Sequence, residues 1–140
     1  MRLYLDTNVL VSLISPDPLT PRAEAMLEQR PEARLLVSDF GRAEFVSALR
    51  RRVRTGEMSE ASAHRCFGNL DRWTTEFTVR VDLLSIDVAA ADALLRRMDL
   101  TIRTPDALHV VMARRLDAPL ATFDVQLAAA ARLVGIEVVA

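Results

Sequence analysis

Apolar residues along the chain follow two rhythms. Short runs with at most one polar interruption, Leu3-Tyr4-Leu5, Leu35-Leu36-Val37, Val79-Arg80-Val81, Leu120-Ala121-Thr122 and Ile136 to Val139, have the length and composition of buried strands. Between them, apolar side chains recur every three to four positions, the period of a helix that buries one face. The first helix runs from Asp6 through Ile14, a loop marked by Pro16, Pro18 and Pro21 follows, and a second helix spans 21–30. Ser38 reads as the N-cap of a helix reaching about Thr55, with Phe45, Val46, Leu49 and Val53 inward and Gly56 as its stop. Ser59 opens another, whose Ala63, Cys66, Phe67, Leu70, Trp73 and Phe77 form a stripe read as core, with a partner-facing role as the alternative. Asp87 opens a helix to about Met98, Thr104-Pro105 one to about Leu116, and Asp124 one that Gly135 ends. Strands alternating with helices predict an α/β fold with a parallel sheet covered on both faces.

No repeat, low-complexity tract or linker divides the 140 residues, so the expectation is a single domain over 1–140. The amino-terminal stretch is apolar, but Asp6 and Asn8 interrupt it and no small-residue cleavage site follows, which points to a cytoplasmic protein without a leader. No apolar run reaches the ~18 residues of a membrane span. Cys66 is the sole cysteine, which excludes an internal disulfide and a cysteine metal cluster. The net charge of −1 excludes a globally basic nucleic-acid binder but permits a local patch. Such a patch is all arginine. The 18 basic residues include no lysine, which removes P-loop phosphate binding and Schiff-base chemistry from consideration.

The candidate chemistry lies in the acids. In an open α/β sheet the usable crevice lies beyond the carboxyl ends of the strands. Asp6 directly follows Leu3-Tyr4-Leu5, and Asp124 follows Leu120-Ala121-Thr122 after one residue, so both emerge on one rim. Glu44 sits one or two turns into the helix after Ser38, and Asp106 lies in the first turn of its own helix, within Arg103-Thr-Pro-Asp-Ala-Leu-His-Val-Val111. Singly, each has a second reading: Asp6 and Asp124 as helix caps, Glu44 as a surface partner of Arg42 or Arg51, and Asp106 as a first-turn acid favoured by the helix dipole behind a Thr104 cap. Together on one rim they repel each other unless a cation intervenes. All-oxygen ligation suits Mg2+, or Mn2+.

Four motifs in this order, YLDTNVLVSLI (4–14), SDFGRAEFVSAL (38–49), RTPDALHVVMA (103–113) and ATFD (121–124), resemble those of the PIN-domain ribonucleases, and among them the VapC-like toxins of toxin–antitoxin pairs. The resemblance covers essentially the whole chain. It implies a three-layer α/β/α fold with a mainly parallel sheet of about five strands and a Mg2+-dependent endoribonuclease in which a metal-activated water hydrolyses RNA. Asp6, Glu44, Asp106 and Asp124 match the family's acids, with Asp6 and Asp106 as direct metal ligands and Glu44 and Asp124 acting through water or a second ion. Thr7, Asn8 and Thr122 match auxiliary polar positions, Thr7 and Asn8 orienting Asp6. The partners implied are RNA, a cognate antitoxin and a second copy in a homodimer, with no membrane.

For holding RNA, Arg50, Arg51, Arg52 and Arg54 form the densest positive run, and Arg42 and Arg103 stand nearer the acids in sequence; the bland alternative is a solvated helix end. His109, three residues after Asp106, reads as a packed core histidine rather than a residue tuning the metal site, and His64 as surface. Tyr4 and Trp73 read as buried. Two rivals remain: a catalytically silent PIN-like module that binds RNA or protein, and a phosphohydrolase on another doubly wound sheet. The second lacks an aspartate two residues after Asp6, where Asn8 stands, and lacks a glycine-rich turn.

Overall fold

The computed structural model describes Met1 to Ala140. Strands and helices follow as β1 (Arg2–Leu5), α1 (Thr7–Ile14), α2 (Thr20–Glu28), β2 (Arg34–Ser38), α3 (Asp39–Arg54), α4 (Glu60–Phe77), β3 (Thr78–Val81), α5 (Ser85–Leu95), α6 (Thr104–Arg115), β4 (Leu120–Ala121), α7 (Val125–Leu133) and β5 (Val138–Val139). The five strands form one sheet in the order β3-β2-β1-β4-β5, with every neighbouring pair parallel. Alternation along each strand divides the interior. Tyr4, Leu36 and Leu120 enter one core with α5, α6 and α7, while Leu3, Leu5, Val37, Ala121 and Val139 enter a second with α1 to α4. The result is the expected three-layer α/β/α arrangement, with all neighbouring strands parallel.

The order of strands places the crevice. From central β1 the chain moves outward through β2 and β3, then crosses to β4 and β5 on the other side. The reversal opens a gap beyond the carboxyl ends of β1 and β4, where open sheets of this kind hold ligands. No helix is long and apolar enough to cross a membrane.

Several boundaries differ from expectation, each for a local reason. Helix α5 starts at Ser85, two residues before Asp87, whose carboxylate accepts from the Leu84 amide at 2.9 Å and so serves the helix from its third position. Thr104 is the first residue of α6 rather than its cap; Asp106 accepts from the Arg103 amide at 3.0 Å. The closing strand shrinks to two residues because the Gly135 and Ile136 amides turn back to Arg132 and Ala131 carbonyls at the end of α7, with Gly135 at φ 84°. In the α4 stripe Ala63 and Leu70 are buried and Cys66, Phe67 and Trp73 partly so, but Phe77 is 56% exposed, because α4 ends there and gives way to edge strand β3.

Candidate active site

Four acids from four distant segments line one cleft of about 460 Å3: Asp6, Glu44, Asp106 and Asp124. Each arrives by a strand-to-helix transition or an early helical turn. Asp6 is the N-cap of α1, with Oδ1 accepting from the Thr7 amide at 2.8 Å. Asp124 caps α7, its Oδ1 accepting from the amides of Gln126 at 2.9 Å and Leu127 at 3.1 Å. Asp106 serves α6 as described, and Glu44 lies in the second turn of α3. Asp6, Asp106 and Asp124 thus each serve a helix start while lining the same cleft as Glu44, which pairs with His109 rather than with Arg42 or Arg51. A carboxylate at a helix start after a strand faces the crevice and the positive end of the helix dipole together.

The auxiliary residues tie these acids to one another. Thr122, fully buried, donates to Asp6 Oδ2 at 2.6 Å and accepts from the Asp124 amide at 3.0 Å, linking the two rim acids through one hydroxyl. Thr7 donates from Oγ1 to Glu44 Oε1 at 2.7 Å. Its side chain thus orients Glu44 and its amide Asp6. Asn8 reaches Asp6 only through Thr122, whose Oγ1 accepts from Asn8 Nδ2 at 3.5 Å, and its Oδ1 accepts from the Phe123 amide at 3.2 Å, fastening the turn after β4 onto α1.

His109 is buried at 2% exposure, as expected for a packed histidine, with the Tyr4 and Phe40 rings at centroid distances of 5.6 and 5.3 Å. It also meets the acids. Nε2 stands 2.5 Å from Glu44 Oε1 and 3.6 Å from Asp6 Oδ1. Burial alone raises the affinity of both carboxyls for a proton, but the outcomes diverge. Asp6, buried at 5% exposure and beside Glu44, is held above the ordinary carboxylate range despite His109 and its hydrogen bonds to Thr122 and Thr7. Glu44 is also pushed up by burial, yet the hydrogen bonds from His109 and Thr7 outweigh that and hold it below its ordinary value.

No three acidic or imidazole groups are spaced to close on an ion by themselves. The arginines divide. Arg51 and Arg52 line the acid cleft beyond Ser47 and Ala48, whereas Arg50 and Arg54 line a separate groove with Glu60 and Phe67. Arg42 pairs with Asp71 at 2.5 Å and lines neither of these. Arg103 is exposed and touches the site only through its amide. Pattern reading missed Asp17, taken as part of a proline loop. It lines the cleft and accepts from Ser12 Oγ at 2.9 Å and the Leu19 amide at 2.8 Å. The Glu44–His109 contact was also missed; the signal was the spacing of three between Asp106 and His109, which puts both on one side of α6.

A parallel five-stranded sheet whose carboxyl edge gathers these acids is the architecture of one nuclease class, and comparison with known families agrees: residues 3–133 match the PIN domain, and the chain belongs to that family. Within it the chain is similar to VapC toxins. Ribonuclease VapC46 of Mycobacterium tuberculosis (strain ATCC 25618 / H37Rv) is 28% identical over 141 residues, covering 99% of this chain and 96% of that protein. The structure of VapC20 from M. tuberculosis, a sarcin-ricin-loop-cleaving toxin, superposes with a TM-score of 0.76 at 16% identity, covering 98% of each chain. VapBC2 of Rickettsia felis, solved bound to a DNA fragment from its promoter, gives a TM-score of 0.74 at 18% identity, covering 99% of this chain and 98% of that one.

Proposed function

We propose that this chain is a Mg2+-dependent endoribonuclease, the toxin of a toxin–antitoxin pair, acting as a single PIN domain over 1–140 in the cytoplasm. The observation that carries the reading is the convergence of Asp6, Glu44, Asp106 and Asp124 on one cleft at the switch point of the sheet. The family match and the likeness to Ribonuclease VapC46 support it.

The donor set fits a hard divalent ion: it is all oxygen on the acids, and Asp6, Asp106 and Asp124 form no ion pair with any arginine. Asp6 and Asp106 are the direct ligands in this reading, with Glu44 and Asp124 reaching the ion through water or a second ion. Mg2+ retains most of its waters and needs only one or two carboxylates, which accommodates acids that do not themselves close a cage. When bound, the ion polarises a phosphate oxygen and lowers the pKa of a water. The residues do the rest. Thr122 and the Thr7 amide hold Asp6 through both oxygens, and Arg51 and Arg52 offer guanidinium groups to the phosphates of a strand lying along the cleft. Arg50, Arg42 and Arg103 stand outside the cleft lining and are less suited to that task.

Purified protein should cleave single-stranded RNA with Mg2+ or Mn2+ and lose the activity to EDTA. Failure to cleave with either ion overturns the reading and leaves the silent binding module. The antitoxin partner is suggested by the toxin–antitoxin complexes among the structural relatives, and the homodimer by resemblance to the family; co-purification and light scattering test them.

A further inference from the structure

Behind Glu44 runs a buried line of hydrogen bonds that metal and RNA chemistry does not by itself require. Tyr4 is fully buried in the centre of the sheet, where a phenylalanine would pack equally well. Its hydroxyl instead meets Ser38 Oγ at 2.9 Å and His109 Nδ1 at 2.8 Å. His109 Nε2 then reaches Glu44 Oε1 at 2.5 Å, on the same oxygen that accepts from Thr7. The Gly41 amide and the Tyr4 hydroxyl both donate to Ser38 Oγ, and the imidazole of His109 joins Tyr4 through Nδ1 to Glu44 through Nε2, which leaves no buried side-chain polar atom in this line without a partner. Gly41 makes room for it: a Cβ there would stand 3.2 Å from Ser38 Oγ, 3.5 Å from Thr7 Oγ1 and 3.6 Å from His109 Cε1.

We infer that Tyr4 and His109 are positioning residues that fix the Glu44 carboxylate, through the line Ser38–Tyr4–His109, so that one oxygen is committed to the protein and the other is presented to the cleft. The inference rests on the metal-dependent reading above. Oriented outer partners of this kind hold a ligand's tautomer and rotamer, and losing one typically costs ~10–100-fold in metal affinity or activity. Tyr4 acts on Glu44 only through the imidazole; no direct Tyr4–Glu44 bond exists. Tyr4→Phe is therefore the informative variant, since it removes one oxygen and keeps the ring.

The test compares wild type, Tyr4→Phe, His109→Leu and His109→Gln for Mn2+ affinity by calorimetry, for kcat and KM on a single-stranded RNA with Mg2+, and for folding by circular dichroism. Tyr4→Phe and His109→Leu are expected to fold, to bind Mn2+ about tenfold or more weakly, and to lower kcat with KM little changed. His109→Gln, which restores an amide N–H toward Glu44, should recover part of the loss. A second arm needs no metal: 1H–15N spectra of the imidazoles, with exposed His64 as internal reference, should show His109 Nδ1 moving in Tyr4→Phe while His64 stays fixed. If all variants match wild type in Mn2+ affinity and kcat, the line is packing only and the inference falls. An unmoved Nδ1 resonance overturns the link between Tyr4 and His109. Wild type that neither binds Mn2+ nor cleaves RNA, while the Nδ1 resonance still moves, sinks the metal-dependent reading and not the hydrogen-bonded line itself.

Discussion

Asp6 is asked to be two things at once. It begins a helix, a task for which a hydrogen-bonded side chain suffices, and it is a carboxylate with little contact with water, which raises its pKa. A carboxyl whose folded pKa is raised favours the fold in its protonated form. That contribution is fully present below about pH 4 and is lost as pH climbs through the raised value. Asp6→Asn is therefore expected to raise the Tm of metal-free protein at neutral pH, since asparagine caps well and carries no charge to desolvate. Scanning calorimetry checks it. The same variant, and Asp106→Asn, should reduce cleavage by more than the ~10–100-fold typical of an outer partner. At this scale the acids were legible because their spacing after apolar runs is a local pattern. His109 was legible as a buried ring on the same side of α6 as Asp106, but its partner was not, since its contact with Glu44 joins residues 65 apart in the chain.

Helix α6 is buried along seven consecutive residues, Ala107 to Ala113, and has little amphipathic contrast for pattern reading to use. It shares an apolar core with Ala91 and Leu94 of α5, and a polar pair joins the two helices as well. Arg115 grips Asp87 through Nε at 2.7 Å and Nη2 at 2.9 Å, with the Asp87 side chain only 2% exposed. Although burial pushes Asp87 up, the Arg115 contact and the Leu84 amide hold it below the ordinary carboxylate range. Stability from this pair is complete above about pH 4 and is lost as pH falls through the depressed value, the opposite sign to Asp6. Asp87→Asn should cost about 2 kcal/mol at neutral pH, measured by urea unfolding, and less in acid, because Arg115, 29% exposed, keeps part of its contact with water. The sequence pattern assigned Asp87 to the start of a helix but could not give it a partner 28 residues away. For the arginine run the helix was enough to find, but not to orient. Arg51 and Arg52 face the acids and Arg50 does not, so Arg51→Ala and Arg52→Ala should weaken RNA binding and flatten its salt dependence, with Arg50→Ala near wild type in a binding assay across salt concentrations.

Across the whole molecule, the alternation of strands and helices announced a parallel sheet, and the sheet formed. The pattern left the order of strands open, because pairing is decided by long-range register: β1 meets β4 through Tyr4 with Leu120 and Leu5 with Ala121, more than a hundred residues apart. Four carboxylates held together by that sheet should be relieved by a divalent ion. Saturating Mn2+ is expected to raise Tm, by about 2.7 kcal/mol of stability at a hundred times Kd, and the rise should vanish in Asp106→Asn. Differential scanning fluorimetry with and without ion reads it.

The sheet order also sets a timetable. A chain in synthesis exposes Asp6 almost at once, Glu44 and Asp106 follow in turn, and the fourth acid, Asp124, joins them only when β4 slots beside β1. The complete set of four acids is thus a product of finished folding, gathered only once the last third of the chain has been placed.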